Sequence, residues 1–389
     1  MKLVYREKTT WQELYFMVMW LLALALYILI PTGSGLIKLI YYGIHTITIG
    51  MFFFTIGRQR ISKFNFDRLL FLLGILIAIA FSALFSDQPI TFSIHISGIL
   101  NFLEMLFAIY IIDSLEHKKS LIRFLYWMNI IVALVFIALY FTSYAYSSKI
   151  IGSLTLGYSN PNTTAIYLLM NIAIIAIFFD RQQKFLAKIV LFSIGLFLFH
   201  LLFLTKSRMC LIAAILILVF RFFAPKWKLP KWTILPVQLL PLAFLFLYPY
   251  LYRQNQYSNS IFLNKELFSG REVYFSEMLA RLRSIWLVGD FGAHPFTNAH
   301  NGPLAVLLGA GTVGYLAYFW FINSTIRTYH SRAKTCSQTI ALIVIFAIFI
   351  HSCAEAAMTV GGANYSILLA TVFWILKGGK EGEDYGEDK

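Results

Sequence analysis

Long apolar segments, separated by short polar stretches, recur from one end of the chain to the other. We find twelve of them, at residues 14–30, 36–56, 69–86, 94–112, 121–142, 163–179, 185–204, 209–223, 233–251, 303–325, 338–353 and 363–376. A helix needs about 20 apolar residues to cross roughly 30 Å of hydrocarbon, and most of these segments reach or approach that length. The pattern predicts an all-α membrane helix bundle of about twelve transmembrane helices, in one integral membrane domain over residues 1–389.

The composition supports a membrane protein. Hydrophobic residues make up 59% of the chain, charged residues 13%, and the mean hydropathy is +0.73. A soluble globule could not bury so many apolar side chains. The net charge is +14, but most Lys and Arg residues fall on alternate loops, as expected of cytoplasmic loops. We therefore expect a retained signal anchor, both termini in the cytoplasm, and the lipid bilayer rather than nucleic acid as the partner.

Polar residues collect in one long segment, residues 252–301, between the ninth and tenth apolar segments and therefore on the outer face. The other loops are short, and residues 377–389 read as a solvated cytoplasmic tail. The spacing of Cys210, Cys336 and Cys353 indicates neither a disulfide framework nor a metal site. The search for a functional site therefore starts at the outer face.

The long segment contains "SGREVYFSEMLARLRSIW", residues 269–286. Ser269 and Glu272 have the spacing of a capping box, which predicts the start of an amphipathic helix that lies on the membrane surface. Arg271 would project from the apolar face of the first turn, where a helix N-terminus favours an anion. Either Arg271 binds an anion, or it snorkels to headgroups or pairs with a carboxylate such as Glu266.

Two other outer stretches carry candidate residues. In "LTKSRMCLIAAIL", Lys206 and Arg208 lie in a short turn on the side where basic residues are otherwise rare. They are either interfacial anchors or, together with Arg271, ligands for a diphosphate. In "GYSNPNTTAIYLL", Asn160 and Asn162 flank a proline at a helix start. Helix capping or recognition of sugar hydroxyls would explain these asparagines.

The long segment ends in "NAHNGPLAVLLGAGTVG", residues 298–314. Pro303 suits the first turn of a helix, which places His300 just before a positive helix end. That field disfavours the imidazolium form, and a neutral histidine can accept a proton as a general base. The alternative is a capping cluster, in which Asn298 and Asn301 satisfy the helix start and His300 bonds a backbone carbonyl.

The glycines that follow bear on how the predicted helix packs. Ala310 and Gly314 are four residues apart, and Gly309 and Gly311 lie beside them. Small residues at this spacing let neighbouring helices approach closely. We expect them to hold the helix rigidly.

The motifs "TKSR", "SGR" and "HNGPLAVLLGAGTVG", in this order and on one face, resemble the O-antigen ligase and polymerase superfamily, whose polymerase branch is called Wzy-type. The turn "GYSNPN" is similar to one in the same family. The resemblance covers roughly residues 157–325. The chain departs from the family pattern at Gly302 and Pro303, where bulkier residues commonly follow "HN", and this departure affects how an acceptor would enter.

The resemblance implies a lipid-linked glycosyltransferase at the outer face of the bacterial cytoplasmic membrane. Such enzymes use a glycan on undecaprenyl diphosphate and need no metal, cofactor or nucleotide sugar. The outer carboxylates form no close acidic pair of the kind that binds a divalent metal. We expect His300 to deprotonate an acceptor hydroxyl while Arg271 and Arg208 stabilise the leaving lipid diphosphate. Other expected substrate-binding residues are Lys206, Asn160, Asn162, Asn298 and Asn301; chain-length regulator and flippase proteins are possible partners.

Three alternatives stay open. A ligase would transfer the polymer to a lipid A core, and we favour a polymerase because the long segment shows no extra domain for such an acceptor. A transporter or flippase would carry ionisable residues in mid-membrane. Glu104 is the best candidate, with Asn101 one turn earlier as its available partner, and Glu355 lies near the outer end of a segment. A membrane scaffold would tolerate replacement of the outer polar residues.

Overall fold

In the residues that the computed structural model describes, the regular secondary structure is helical apart from one short hairpin. The structure describes residues 10–58, 62–86, 92–146, 152–179, 181–182, 184–223, 229–255, 261–262, 265–266, 271–291, 300–331, 335–356 and 363–378. Its α-helices are α1 (Trp11–Thr32), α2 (Leu36–Arg58), α3 (Lys63–Leu84), α4 (Phe92–Ile111), α5 (Lys119–Tyr140), α6 (Pro161–Phe179), α7 (Phe185–Leu204), α8 (Arg208–Phe223), α9 (Ile234–Asn255), α10 (Arg271–Ile285), α11 (Gly302–His330), α12 (Cys336–His351) and α13 (Ala363–Lys377). Strand β1 (Ile261–Phe262) pairs antiparallel with β2 (Lys265–Glu266).

Each apolar segment of the sequence corresponds to one of these helices, and α10 is the additional helix predicted in the long polar segment. In the described part of the chain, eight helices are long and apolar enough to cross a membrane: α1, α2, α3, α5, α6, α7, α9 and α11. Helices α4, α12 and α13 contribute shorter apolar stretches. The chain is therefore an all-helical, multi-pass membrane protein, and the count of twelve spans stays a prediction.

Contacts between helix termini define two ends of the bundle. At one end, the start of α1 meets the start of α5, where the Glu13 carboxylate lies 2.7 Å from the Lys118 ammonium. At the other end, the start of α11 meets the end of α12, where the Gly302 N–H donates to the Ser352 carbonyl at 3.2 Å. We call this second end the site end, because the polar residues predicted to be functional gather there.

Helices α3 and α11 pack closely through small residues. A Cβ added at Gly314 of α11 would lie 3.2 Å from that of Ala78 in α3. A Cβ added at Gly74 of α3 would lie 3.4 Å from that of Ala317 in α11. These contacts confirm that small residues bring α11 close to a neighbouring helix.

Helix α11 is not regular over its whole length. The helix is broken at Gly311, which has φ 64° and ψ −170°. The segment that follows α10 fills the break: the Asp290 N–H donates to the Leu308 carbonyl at 2.7 Å, and the Thr312 N–H donates to the Trp286 carbonyl at 2.8 Å. Irregular backbone is tolerated at membrane depth when protein satisfies its polar groups. The segment after α10 is therefore hydrogen-bonded to α11 at the break.

Helix α10 confirms that a helix follows Ser269 in the long polar segment. It begins at Arg271, and the expected cap Ser269 lies outside the described residues. Phe275 is fully buried and packs against Leu245 of α9 and the start of α11. Phe275 therefore rests on protein, and Glu272, about one turn before it, is also buried.

Candidate functional site

Four polar side chains from separate segments meet at the site end, and Glu355 contacts the other three. Its Oε1 accepts a hydrogen bond from Asn162 Nδ2 at 2.8 Å and pairs with the Arg271 guanidinium. Its Oε2 lies 3.4 Å from Nδ1 of His300. We call Glu355, Arg271, His300 and Asn162 the Glu355 cluster. The structure thus brings together three of the residues that the sequence predicts to be functional.

The turn after α12 holds Glu355 in place. The Ser352 N–H donates to the Ile348 carbonyl at 2.8 Å, and the Glu355 N–H donates to the His351 carbonyl at 3.2 Å. These bonds satisfy carbonyls that the helix end would otherwise leave without partners. The Glu355 side chain is 17% exposed, so the carboxylate lies near the surface of the site end but is largely shielded from solvent.

His300 is positioned by the backbone just before α11. Its φ is 49°, in the left-handed region that histidine adopts more readily than bulky or β-branched residues. The side chain is 40% exposed, and the Tyr274 ring of α10 packs edge-on against the imidazole at 6.1 Å between ring centroids. The imidazole therefore contacts the carboxylate on one side while part of its surface stays accessible to another molecule.

The electrostatic balance at Glu355 favours the ionised carboxylate. Burial by itself raises the pKa of this carboxyl, but the hydrogen bond with His300 and the charge of Arg271 act against burial, and the pKa lies below its ordinary value. An ionised carboxylate only accepts hydrogen bonds. The contact with Glu355 therefore requires the proton of a neutral His300 to be on Nδ1, which leaves Nε2 as the proton-accepting nitrogen.

Asn301 lies behind the cluster and is fully buried. It is the N-cap of α11: its Oδ1 accepts from the Leu304 N–H at 3.0 Å. Its Nδ2 donates to the carbonyls of Pro241 and Cys353, at 2.9 and 3.0 Å. These bonds favour capping over substrate binding for Asn301. His300 differs from the capping alternative, in which it would bond a backbone carbonyl, because its partner is the Glu355 carboxylate.

Arg271 and Arg208 lie in the same electrostatic environment. Arg271 is the first residue of α10 and Arg208 the first of α8. Their positive charges repel each other, and the Tyr248 phenol of α9 interacts electrostatically with both. The Glu355 carboxylate is a partner of Arg271. The side chain of Glu266, the example considered from sequence, lies outside the described part. The Glu272 carboxylate also interacts electrostatically with Tyr248, so charges of both signs lie around this phenol.

The remaining predicted residues differ in their placement. Asn160 caps α6: its Oδ1 accepts from the Asn162 N–H at 2.9 Å, as the capping interpretation expects. Lys206 has a φ of 57° in the turn between α7 and α8, and its Nζ lies beside Gly152. Asn298 lies outside the described residues.

Glu355 and Tyr274 were not identified as site residues from the sequence. Glu355 was noticed only as an ionisable residue near a segment end, although few carboxylates lie on the predicted outer face. The sequence did contain a signal for Glu355. Its carboxylate is predicted on the same face as two candidate arginines and a candidate base. Tyr274 gave no such signal, because a tyrosine on an amphipathic helix is ordinary.

The proposed partner of Glu104 is also corrected. Oε2 of Glu104 lies 2.6 Å from Nδ1 of His45, on the neighbouring helix α2. The expected partner Asn101 has a buried Oδ1 without a hydrogen-bond partner. The pairing reaches between helices instead of along α4, and it lies among helices that the Glu355 cluster does not use.

No group of three or more His, Cys, Asp or Glu side chains in the described ranges could hold a metal ion. No family model matches the chain, and no curated protein or solved structure matches it. A function for this chain therefore has to be argued from its own side chains.

Proposed function

We propose that the chain is a lipid-linked polysaccharide polymerase that transfers a glycan from undecaprenyl diphosphate to the hydroxyl of an acceptor repeat unit. The observation that supports this proposal best is that His300 and Arg271 contact the same carboxylate, Glu355. A potential general base and a cation that could bind a diphosphate thus contact the same side chain. Reactions of this type need both groups beside one anomeric carbon.

In the proposed reaction, Nε2 of His300 takes the proton of the acceptor hydroxyl. The oxygen then attacks the anomeric carbon from the side opposite the diphosphate, so that a glycosidic bond forms while the bond to the diphosphate oxygen breaks. The electron pair of the broken bond leaves with the lipid diphosphate, whose charge Arg271 and Arg208 neutralise. His300 afterwards releases its proton to solvent or to the departing diphosphate.

Glu355 has two roles in this scheme. It accepts the Nδ1 proton of His300 and so orients Nε2 toward the acceptor. It also pairs with Arg271 when no diphosphate is bound, which offsets the cost of a desolvated guanidinium. Asn162 holds Oε1 of the carboxylate from the start of α6. Arrival of a diphosphate would let Arg271 exchange one anionic partner for another.

The proposal places the site end at the outer face of the bacterial cytoplasmic membrane, with both termini in the cytoplasm, because most basic loops then lie inside. The lipid-linked donor would reach the Glu355 cluster from the bilayer. A deletion strain separates the polymerase from a ligase. Loss of a polymerase leaves single repeat units on the surface, whereas loss of a ligase leaves long chains on the lipid carrier.

The direct test is polymer formation from purified lipid-linked repeat units by the reconstituted protein. We expect His300→Ala to lower turnover by about 100-fold or more, because it removes the general base. Arg271→Ala and Arg208→Ala should also lower turnover. His200→Ala, at an exposed position of α7, is the matched control and should behave like wild type. Near-normal turnover by His300→Ala would remove the base from the scheme.

A transporter or flippase of lipid-linked glycans is the second candidate, favoured by the break in α11 at Gly311. Discontinuous helices are common in transporters, where the freed backbone groups bind substrate or ions. Here the break is filled by the backbone after α10. Movement of the lipid-linked glycan across sealed vesicles, without new glycosidic bonds, would support transport and overturn the polymerase.

A further inference from the structure

A second polar cluster lies inside the apolar bundle, among α1, α2 and α4. His45 of α2 and Glu104 of α4 are 6% and 2% exposed, and Nδ1 of the imidazole lies 2.6 Å from Oε2 of the carboxyl. Both residues are far from the ends of their helices. Neither belongs to the Glu355 cluster. The proposed glycosyl transfer leaves this pair unexplained.

Polar groups of α1 and α2 lie near the pair. The Tyr41 ring stacks on His45 with 6.5 Å between ring centroids. One turn further along α2, Thr48 Oγ1 lies 3.2 Å from the Tyr15 hydroxyl of α1. Tyr15 and Tyr41 are also within electrostatic reach of Glu104. The hydroxyls extend the polar environment of the pair along α2 and across to α1.

Charged groups on the other helices that pack on α4 lie near its C-terminal end. Nη2 of Arg68 in α3 donates to the Ile109 carbonyl at 3.1 Å, and Nζ of Lys377 in α13 donates to the Ile112 carbonyl at 3.0 Å. These acceptors lie more than one turn beyond Glu104. The other titratable side chains of α3 and α13 are Lys63, Asp67 and Tyr365.

We propose that His45 and Glu104 form a proton-binding site within the membrane. With one proton between them, the pair is neutral overall, either as imidazole with carboxylic acid or as imidazolium with carboxylate. With no proton it would hold a lone negative charge, and with two a lone positive charge. Either charge would be expensive in apolar surroundings. The ligand of this site is therefore a single proton, and its loss would place an uncompensated charge between α2 and α4.

The site can be tested by nitrogen NMR of the full-length protein in lipid bilayers, with all histidines ¹⁵N-labelled. His45→Gln identifies the His45 signals, because it removes only those. We expect the His45 signals in wild type to stay constant between about pH 5 and 8, where an unperturbed imidazole changes its charge. Glu104→Gln keeps the side-chain size but removes the acid that shares the proton, so it should shift the Nδ1 signal of His45. Glu116→Gln, at an exposed position after α4, is the control and should leave the His45 signals unchanged.

A His45 signal that changes between about pH 5 and 8 as that of an unperturbed imidazole does would overturn the proposal. The same holds if the Nδ1 signal of His45 is unchanged in Glu104→Gln. The wild-type comparison requires no variant of Glu104, so it decides the matter even if Glu104→Gln does not fold. Neither measurement depends on glycosyl transfer, so this proposal and the polymerase proposal can fail separately.

Discussion

The His300–Glu355 and His45–Glu104 contacts join the same two residue types in opposite surroundings. Glu355 is partly exposed and also bonds Arg271 and Asn162, whereas Glu104 is buried in the apolar bundle with His45 as its close basic partner. A carboxylate with a permanent cation and an amide beside it can stay ionised. A carboxyl with only an imidazole beside it has to share one proton. The neighbours of the pair therefore determine its chemistry.

The backbone also differs between the two contacts. His45 and Glu104 lie inside regular helices, so helical spacing and the α2–α4 contact are enough to bring them together. His300 has a left-handed φ before α11, and Glu355 lies in the turn after α12. Helix termini and turns place the exposed pair. The break at Gly311 is a further irregular feature of α11, the helix that His300 precedes.

The largest effect should come from Gly311→Ala. A Cβ at this position would lie 2.2 Å from the Leu287 carbonyl oxygen, and φ is 64°. We expect a loss of about 3 kcal/mol or more in stability, from left-handed strain and overpacking together. Gly50→Ala in α2, where nothing lies within 4 Å of an added Cβ, is the control and should be neutral or slightly stabilising. Thermal unfolding in detergent measures both, and equal melting temperatures would show that the break is not required.

Glu355→Gln tests whether the His300–Glu355 contact, and not the His45–Glu104 contact, serves glycosyl transfer. It keeps the shape of the side chain but removes the charge that orients His300 and balances Arg271. We expect turnover to fall roughly 10-fold to 100-fold, as is typical when the partner of a functional histidine is lost. Glu277→Gln, on the exposed face of α10, should have no effect. If Glu104→Gln folds, its turnover should be close to that of wild type. A loss of turnover equal to that of Glu355→Gln would mean that both pairs serve one reaction.

Asn162→Ala should have a smaller effect. The variant removes one hydrogen bond to the Glu355 carboxylate but leaves the ion pair with Arg271 in place. We expect a loss of about 1 kcal/mol in stability, because the site is partly open to solvent. Ser159→Ala, at an exposed neighbouring position, is the control. A melting temperature of Asn162→Ala equal to that of the control would show that Asn162 does not help to hold the carboxylate.

The smallest effect concerns pH. The pKa of Glu355 is held below its ordinary value of 4.5, so the folded state binds its proton less readily than the unfolded state. The stability that the ionised carboxylate provides is therefore present above about pH 4.5 and is lost as the pH falls through the folded pKa. The difference in melting temperature between wild type and Glu355→Gln should stay constant near neutral pH and shrink in acid. A difference that grows in acid would contradict the sign of the pKa change.

Helix placement could be predicted because it depends on local properties. Apolar runs long enough to span hydrocarbon, Pro303 in the first turn of α11 and the periodicity after Arg271 all act within a few residues of the chain. The break at Gly311 could not be predicted from the glycine pattern. The same small residues suit close helix packing and an interruption, and the segment after α10 that fills the break is distant in the sequence.

The sequence by itself determined that this is a helical membrane protein and that His300, Arg271 and Asn162 stand at helix starts. Hydropathy and capping chemistry are properties of neighbouring residues, so a linear chain is enough to show them. Only the tertiary structure decided that these three side chains share Glu355 and that Glu104 pairs with His45 instead of Asn101. Such contacts depend on which helices pack together and on the rotation of each about its axis, and those are set by the burial of whole helix faces.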